Sequence, residues 1–219
     1  MPRPTFFALP DDKRDRVIDA AILEFAAWPY GVASLDRIAS AARVSKGSLY
    51  QYFDDKRDLY AWLVTEHLPA RKRAGQRGLQ DGMFVAFEGA FVAGLLLFRE
   101  QPALASLAVR VVLPAAEPEV REVHAKVRAT TRTALRALVV GAQASGEVRT
   151  DVDPDIAADL ISALMGVTLL ETVAHRAGID VDTLVRDPGR ALALSDATIA
   201  ATVRELTTLL RRAIGAVDH

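Results

Sequence analysis

Between positions 45 and 56 the chain sets out Ser45-Lys46-Gly47-Ser48, then Tyr50-Gln51-Tyr52, and then Lys56. These are hydroxyls, an amide and ammonium groups, with no nucleophile–base pair among them. Such a set makes hydrogen bonds and neutralises anions; it does not break covalent bonds. On a helix beginning at Lys46, the first residues would reach base edges in the major groove of duplex DNA, which is wide enough to admit a helix. Gly47 removes side-chain bulk and permits close backbone approach, and free amides at a helix start donate to phosphate. Tyr50, Gln51 and Tyr52 follow on neighbouring faces, and Lys56 is placed to neutralise a phosphate.

The elements that must hold these groups are helical. Asp11 and Asp12 after Pro10 suit a helix start, and Ile18, Ala21, Ile22 and Phe25 recur at helical spacing until Pro29 stops the helix near Trp28. Ser34 is the expected N-cap of a short second helix with an Ile38, Ala39 and Ala42 stripe. After a break at Ala42-Arg43-Val44, Ser45 caps a third helix to about Phe53, whose ring faces the core, and a fourth restarts after Asp54. Short helices around a three-residue break make a helix-turn-helix pattern.

Longer helices follow, at about 81–99, from Pro102, and at about 118–145, 154–177 and 195–215, with Gly146 and Gly178 as stops. Residues 179–194 read as a loop, and Arg71-Lys72-Arg73 as a solvated helix end. The fold class expected is all-α: an N-terminal three-helix head over residues 1–60 and a larger helical bundle over 61–219.

Composition narrows the function. The 219 residues contain no cysteine, which excludes disulfides, thiolate metal sites and cysteine nucleophiles. Spacings for metal ligands and phosphate-cradling glycine motifs are also missing, so neither an enzyme nor a cofactor is expected. Glu171 and His175 share a helix face, a spacing better read as a surface pair than as a metal site. The net charge is −1, with 12 basic against 10 acidic residues in 1–73 and 15 against 18 in the rest, so local placement of charge must carry any case for nucleic acid. Met1 to Pro10 has no signal-peptide pattern, and the longest apolar run, Gly89 to Phe98, is short of the ~20 residues of a membrane span. A cytoplasmic protein without a membrane partner is expected.

The block Lys46-Gly47-Ser48-Leu49-Tyr50-Gln51-Tyr52-Phe53, continued by Asp55-Lys56 and Leu59, resembles the recognition helix of the tetracycline-repressor (TetR) family of bacterial regulators. Asp19-Ala20-Ala21 to Phe25 and Ser34 to Ile38 resemble that family's first two helices. The resemblance covers about residues 12–63; the remainder is similar in length and helical layout. It implies a DNA-binding transcriptional regulator, by family tendency a repressor released by a small-molecule effector. Ser45, Lys46, Ser48 and Gln51 would face the groove, with Gly47 close to the backbone. Tyr50, Tyr52 and Lys56 would contact phosphates, helped by Ser34 and Arg37. For Tyr50 and Tyr52 a place in the core is the alternative. Two positions depart from the family pattern: Arg43 stands where glycine is usual in the turn, and Pro29 where glycine often follows the first helix. If the turn needs positive φ, Arg43 costs ~1 kcal/mol, offset by any phosphate contact.

In the body, Phe87 and Phe91 on a face with interleaved Gly and Ala, together with Arg110, His124, Met165, Leu169 and His175, are the expected effector lining. Arg110 and His124 are the most telling, because a buried polar group in an apolar pocket orients its ligand. An ordinary helical core is the competing reading, as is a constitutive DNA binder with no ligand. Stripes through Ile156, Leu160, Leu164, Val167 and Leu170, with Ala163 and Gly166 for close approach, and through Val203, Leu206, Leu209 and Leu210, have two uses: packing within one subunit or, as the resemblance implies, a homodimer four-helix bundle. Its DNA partner would be a pseudo-palindromic duplex operator.

Overall fold

The computed structural model describes residues 1–70, 82–112, 117–180 and 194–216. They form helices α1 (Pro4–Phe7), α2 (Asp11–Ala27), α3 (Leu35–Ala41), α4 (Lys46–Tyr52), α5 (Lys56–Trp62), α6 (Met83–Glu100), α7 (Pro102–Val112), α8 (Pro118–Ala144), α9 (Pro154–Ala163), α10 (Leu169–Arg176) and α11 (Asp196–Ile214). The chain is all-α, as expected; among the described residues the only extended pairing is an isolated bridge between Val148 and Gly215. Arg71-Lys72-Arg73 and all but the ends of the expected 179–194 loop lie outside the described residues.

Two compact units divide the chain: residues 1–73 with 103–127, and residues 74–102 with 128–219. In the first, α2 buries Val17, Ile18, Ala21, Ile22 and Phe25, the stripe that its 3.6-residue period sets out. Trp28 turns extended at φ −123°, ψ 142°, as the proline after it requires. Ile38, Leu49, Phe53, Leu59 and Leu63 complete a dry core under α3, α4 and α5. Ser34, Ser45 and Asp55 cap α3, α4 and α5, each accepting a first-turn amide. Past Trp62 the helix widens into a π-turn over Leu63–His67.

In the second unit α6 buries Met83, Phe84, Phe87, Phe91, Leu95 and Phe98 and packs against α11. Gly82 enters α6 at φ 94°, and the Glu147 carboxylate accepts the amides of Met83 at 2.7 Å and Phe84 at 3.1 Å. A distant acid thus does the capping for which Gly82 has no side chain. Asp153 caps α9 ahead of Pro154, and Ser195 caps α11.

The helix expected across 154–177 is interrupted. Leu164–Thr168 forms a second π-turn in which Gly166 leaves helical geometry, at φ −92°, ψ −131°. A π-turn inserts one extra residue and rotates the next helical segment by roughly 100°. Before it the buried residues are Ala157, Ala158 and Ile161; after it they are Leu169, Leu170, Val173 and Ala174. The stripe read straight from Ile156 to Leu170 is therefore two stripes: Ile156 and Leu160 point outward, Leu170 inward. By length and composition alone Pro154–Arg176 could cross a membrane. Its inward face, however, is committed to this unit's core. On its other side Asp155 and Asp159 pair with Arg136 and Arg132 of α8.

Candidate nucleic-acid interface

The three-residue break sets the geometry of the head. Arg43 is the single non-glycine residue with positive φ among those described, at 56°. That left-handed residue lets Val44 donate back to the Ala39 carbonyl at 3.0 Å and swings the chain so that α4 leaves at an angle to α3. The conditional cost attached to Arg43 therefore applies. Its side chain is exposed.

On α4, Lys46, Gly47, Tyr50 and Gln51 are exposed, Ser48 is half-buried, and Leu49 is buried beneath them. Ser45 accepts the Ser48 amide at 3.0 Å, and the two hydroxyls bond each other at 2.8 Å. Lys46 Nζ reaches Asp36 at 2.9 Å, and that hydrogen bond holds its ammonium above the ordinary lysine value. A DNA phosphate brought to this face would compete with Asp36 for Lys46.

Ser34, Arg37 and Lys56 hold the head together from inside. Glu24, 8% exposed, accepts the Ser34 amide at 2.8 Å and the Arg37 guanidinium at 2.5–3.1 Å. Arg37 also donates to the Val32 carbonyl and lies over the Trp28 ring at 5.2 Å. Glu24, missed in the sequence, thus ties the start of α3 to α2. Its only signal was an acid on the apolar side of α2. Lys56 Nζ donates to the carbonyls of Tyr30 at 2.7 Å and Ala33 at 2.9 Å and sits 4.5 Å from the centre of the Tyr30 ring. Two of its three N–H donors are committed to the loop that Pro29 opens.

Tyr52 is the clear correction. It is 5% exposed, in the core and away from a phosphate-contacting surface. The cause is α1, which periodicity in the sequence does not reveal. Phe6, fully buried, packs its ring 6.0 Å from Tyr52, 4.9 Å from Phe53 and 5.2 Å from Trp62. The same segment ends the candidate recognition helix: the Arg3 amide donates to the Tyr52 carbonyl at 2.8 Å and the Thr5 hydroxyl to the Gln51 carbonyl at 2.6 Å. Terminal carbonyls of a helix lack partners within it, so residues 3–5 supply acceptor satisfaction that α4 cannot.

The expected effector residues divide between the units. Arg110 on α7 and His124 on α8 belong to the first, where the His124 ring bonds the Tyr60 hydroxyl through Nε2 at 2.7 Å. Phe87, Phe91 and Leu169 are buried in the second and Met165 is half-buried. His175 is exposed beside exposed Glu171, and the exit of α10 turns it away from the buried face, so it does not join that set. Of the expected dimer residues, Leu170, Val203 and Leu210 are buried within their own unit, a correction that follows from the π-turn and from α11 lying on α6. Leu160 is 40% exposed, Leu206 and Gly166 are intermediate, and a methyl group added at Gly166 would meet nothing. Ile156 at 69% and Leu209 at 61% are the large apolar side chains most exposed on α9 and α11.

Residues 17–62 match the family model described as bacterial regulatory proteins, tetR family. The whole chain is similar to a TetR family transcriptional regulator of Chloroflexus aurantiacus J-10-FL, with 28% identity, a TM-score of 0.69, and coverage of 99% of this chain and 100% of that one. The head is similar to the HTH-type transcriptional repressor SCO4008 of Streptomyces coelicolor, 38% identical over 59 residues, which are 27% of this chain and 31% of the relative. It is also similar to IcaR of Staphylococcus aureus, a negative transcriptional regulator of the biofilm operon icaADBC, 40% identical over 47 residues, or 22% and 25% of the two chains. The matches to these curated relatives thus span a third or less of their length.

Proposed function

The chain belongs to the tetR family of bacterial regulatory proteins, and from that premise we propose that it is a sequence-specific DNA-binding repressor, released from its operator by a small-molecule effector. The observation that carries this reading is the outward row Arg43, Ser45, Lys46, Gly47, Tyr50 and Gln51 on a helix whose opposite face is locked into the core. Residues 1–60 form the DNA-binding head in this reading, and residues 61–219 sense the effector and dimerise. Gln51, Lys46 and Ser45 read bases, with Ser48 beside them, while Tyr50 and Arg43 contact phosphates. Ser34, Arg37 and Lys56 act by positioning, since their polar atoms are engaged within the head.

A two-fold dimer would present two recognition helices to major grooves about 34–36 Å apart on a pseudo-palindromic operator. The apolar seam for it is the outward face of α9 and α11, Ile156, Leu160 and Leu209, with Leu206 at its edge. A protein acting on chromosomal DNA in a bacterium works in the cytoplasm, and nothing in this reading calls for catalysis.

Selection of bound fragments from a genomic library, followed by gel shifts, tests the proposal. A dimer contacting ~6–10 phosphates loses ~10³–10⁵ in affinity between 50 and 200 mM salt. Gln51→Ala lowers selectivity for the selected site more than it lowers non-specific binding. No complex with any fragment at low salt refutes the proposal.

A further inference from the structure

Arg110 stands in the last turn of α7, and its Nε is buried without a hydrogen-bond acceptor among the described residues. No ion pair within the described residues reaches its guanidinium either. One turn back lies Ser106, also buried, and the walls of the same unit include Leu107 and Val111, both 2% exposed or less. Beside this stands the Tyr60 hydroxyl, bonded to His124 Nε2 at 2.7 Å, with both side chains 5% exposed or less. The Arg110 charge acts on that phenol, as does the opposing charge of Glu117, while burial pushes the phenol well above its ordinary range. Glu117 does not close an ion pair with Arg110. The α7 dipole offsets part of the cost of a cation at this end, but a dipole does not accept the Nε proton. A buried guanidinium nitrogen lacking an acceptor is costly to keep and is completed most directly by an anion.

We propose that Arg110, with the Tyr60–His124 pair beside it, is the anion subsite of the effector site, and that the effector is a monocarboxylate on an apolar body. This deepens the effector reading and rests on it. One guanidinium matches one negative charge, and its planar fork fits a carboxylate with two parallel bonds. A dianion such as a phosphate monoester would bring a second charge into apolar walls that hold no second cation for it. The apolar body is what buried aliphatic walls recognise.

The test uses the full-length protein and a series of straight-chain carboxylates (hexanoate, octanoate, decanoate), each with its matching 1-alkanol. Calorimetry measures binding, thermal melts measure stability, and fluorescence anisotropy measures release of the selected operator. The carboxylates are expected to bind at least about 10-fold tighter than their alcohols, because a hydrogen bond to a charged group is worth roughly that factor or more. Arg110→Gln is expected to remove this preference and to raise the melting temperature of the ligand-free protein, since it removes an unpaired buried charge. Arg110→Lys should keep part of the preference, and Tyr60→Phe, which retains the cation, should weaken carboxylate binding by less than Arg110→Gln does. Equal affinity for alcohol and carboxylate overturns the proposal. So does an unchanged preference in Arg110→Gln, or no carboxylate binding at millimolar concentration. Arg110-dependent binding that leaves the operator complex intact sustains the anion subsite and refutes its role as an effector site.

Discussion

Truncating Phe6 to alanine tests whether the first few residues belong to the head's core. The ring is fully buried and has four aromatic neighbours, Phe7, Tyr52, Phe53 and Trp62, at centroid separations of 4.9–6.0 Å. Phe→Ala in such a site costs ~3–5 kcal/mol, transfer and cavity terms together. For a chain of this length each kcal/mol lowers the melting temperature by about 2–4 °C, so the loss is roughly 6–20 °C. Phe6→Leu, which fills most of the space, should lose far less. The second consequence is functional: with α1 loosened, Arg3 and Thr5 no longer satisfy the Gln51 and Tyr52 carbonyls, and α4 frays at its C-terminal end. Operator affinity, measured well below the new melting point, should fall along with stability. Thr5→Val isolates this part: it removes one hydrogen bond, worth about 0.5–1.5 kcal/mol, without opening the ring cluster. Calorimetric melts of the three variants and anisotropy titrations decide it. A Phe6→Ala melt indistinguishable from wild type would refute the packing described for α1.

The other predictions concern the turn, the seam, the clamp and pH. Arg43→Gly relieves a left-handed penalty of ~1–2 kcal/mol against about 0.5–1 kcal/mol of added chain entropy. It should therefore melt slightly higher, yet bind DNA more weakly and with a salt slope shallower by ~1 if Arg43 meets a phosphate. Leu209→Glu should give folded monomers in sedimentation, whereas Val203→Glu, at a fully buried position, should give unfolded protein; folded dimers of both would remove the proposed seam. Glu24→Gln should lower the melting temperature and Arg37→Gln do the same, with the double variant losing less than the two combined, because the pair acts as one unit. Asp159, held below the usual carboxylate range first by its hydrogen bond from Arg132, contributes stability that is present above its unfolded pKa and lost as pH falls through its lower folded one. An NMR titration of Asp159 at the ordinary value would contradict that pairing.

The head was largely legible because its signals are local. Caps at Ser34 and Ser45, the stop before Pro29 and the turn at Arg43 all follow from residue type and nearest neighbours, and they stand where the sequence puts them. Tyr52 was misplaced because its burial depends on Phe6, forty-six positions away in the chain, and no periodicity reports such a contact. Glu24, Arg37 and Lys56 show the same limit: a charge near a presumed DNA face looks the same in sequence whether it meets a phosphate or a carbonyl of its own chain. In the body, helix existence was readable and helix facing was not. Leu170, Val203 and Leu210 sit on apolar stripes that serve equally well for an inner or an outer contact, and tertiary packing chose the inner one.

The π-turn at Leu164–Thr168 makes the outward face of this helical segment depend on residue count as much as on residue type. Deleting a single residue there would close the turn into ordinary α-helix and rotate everything beyond it by about 100°. Leu170 would swing out of the core and exposed positions would swing in, although every side chain beyond the deletion kept its identity. Insertions and deletions in this short window are thus a route by which related chains could exchange a buried face for a binding one, and column-by-column comparison across it would pair residues that look in different directions.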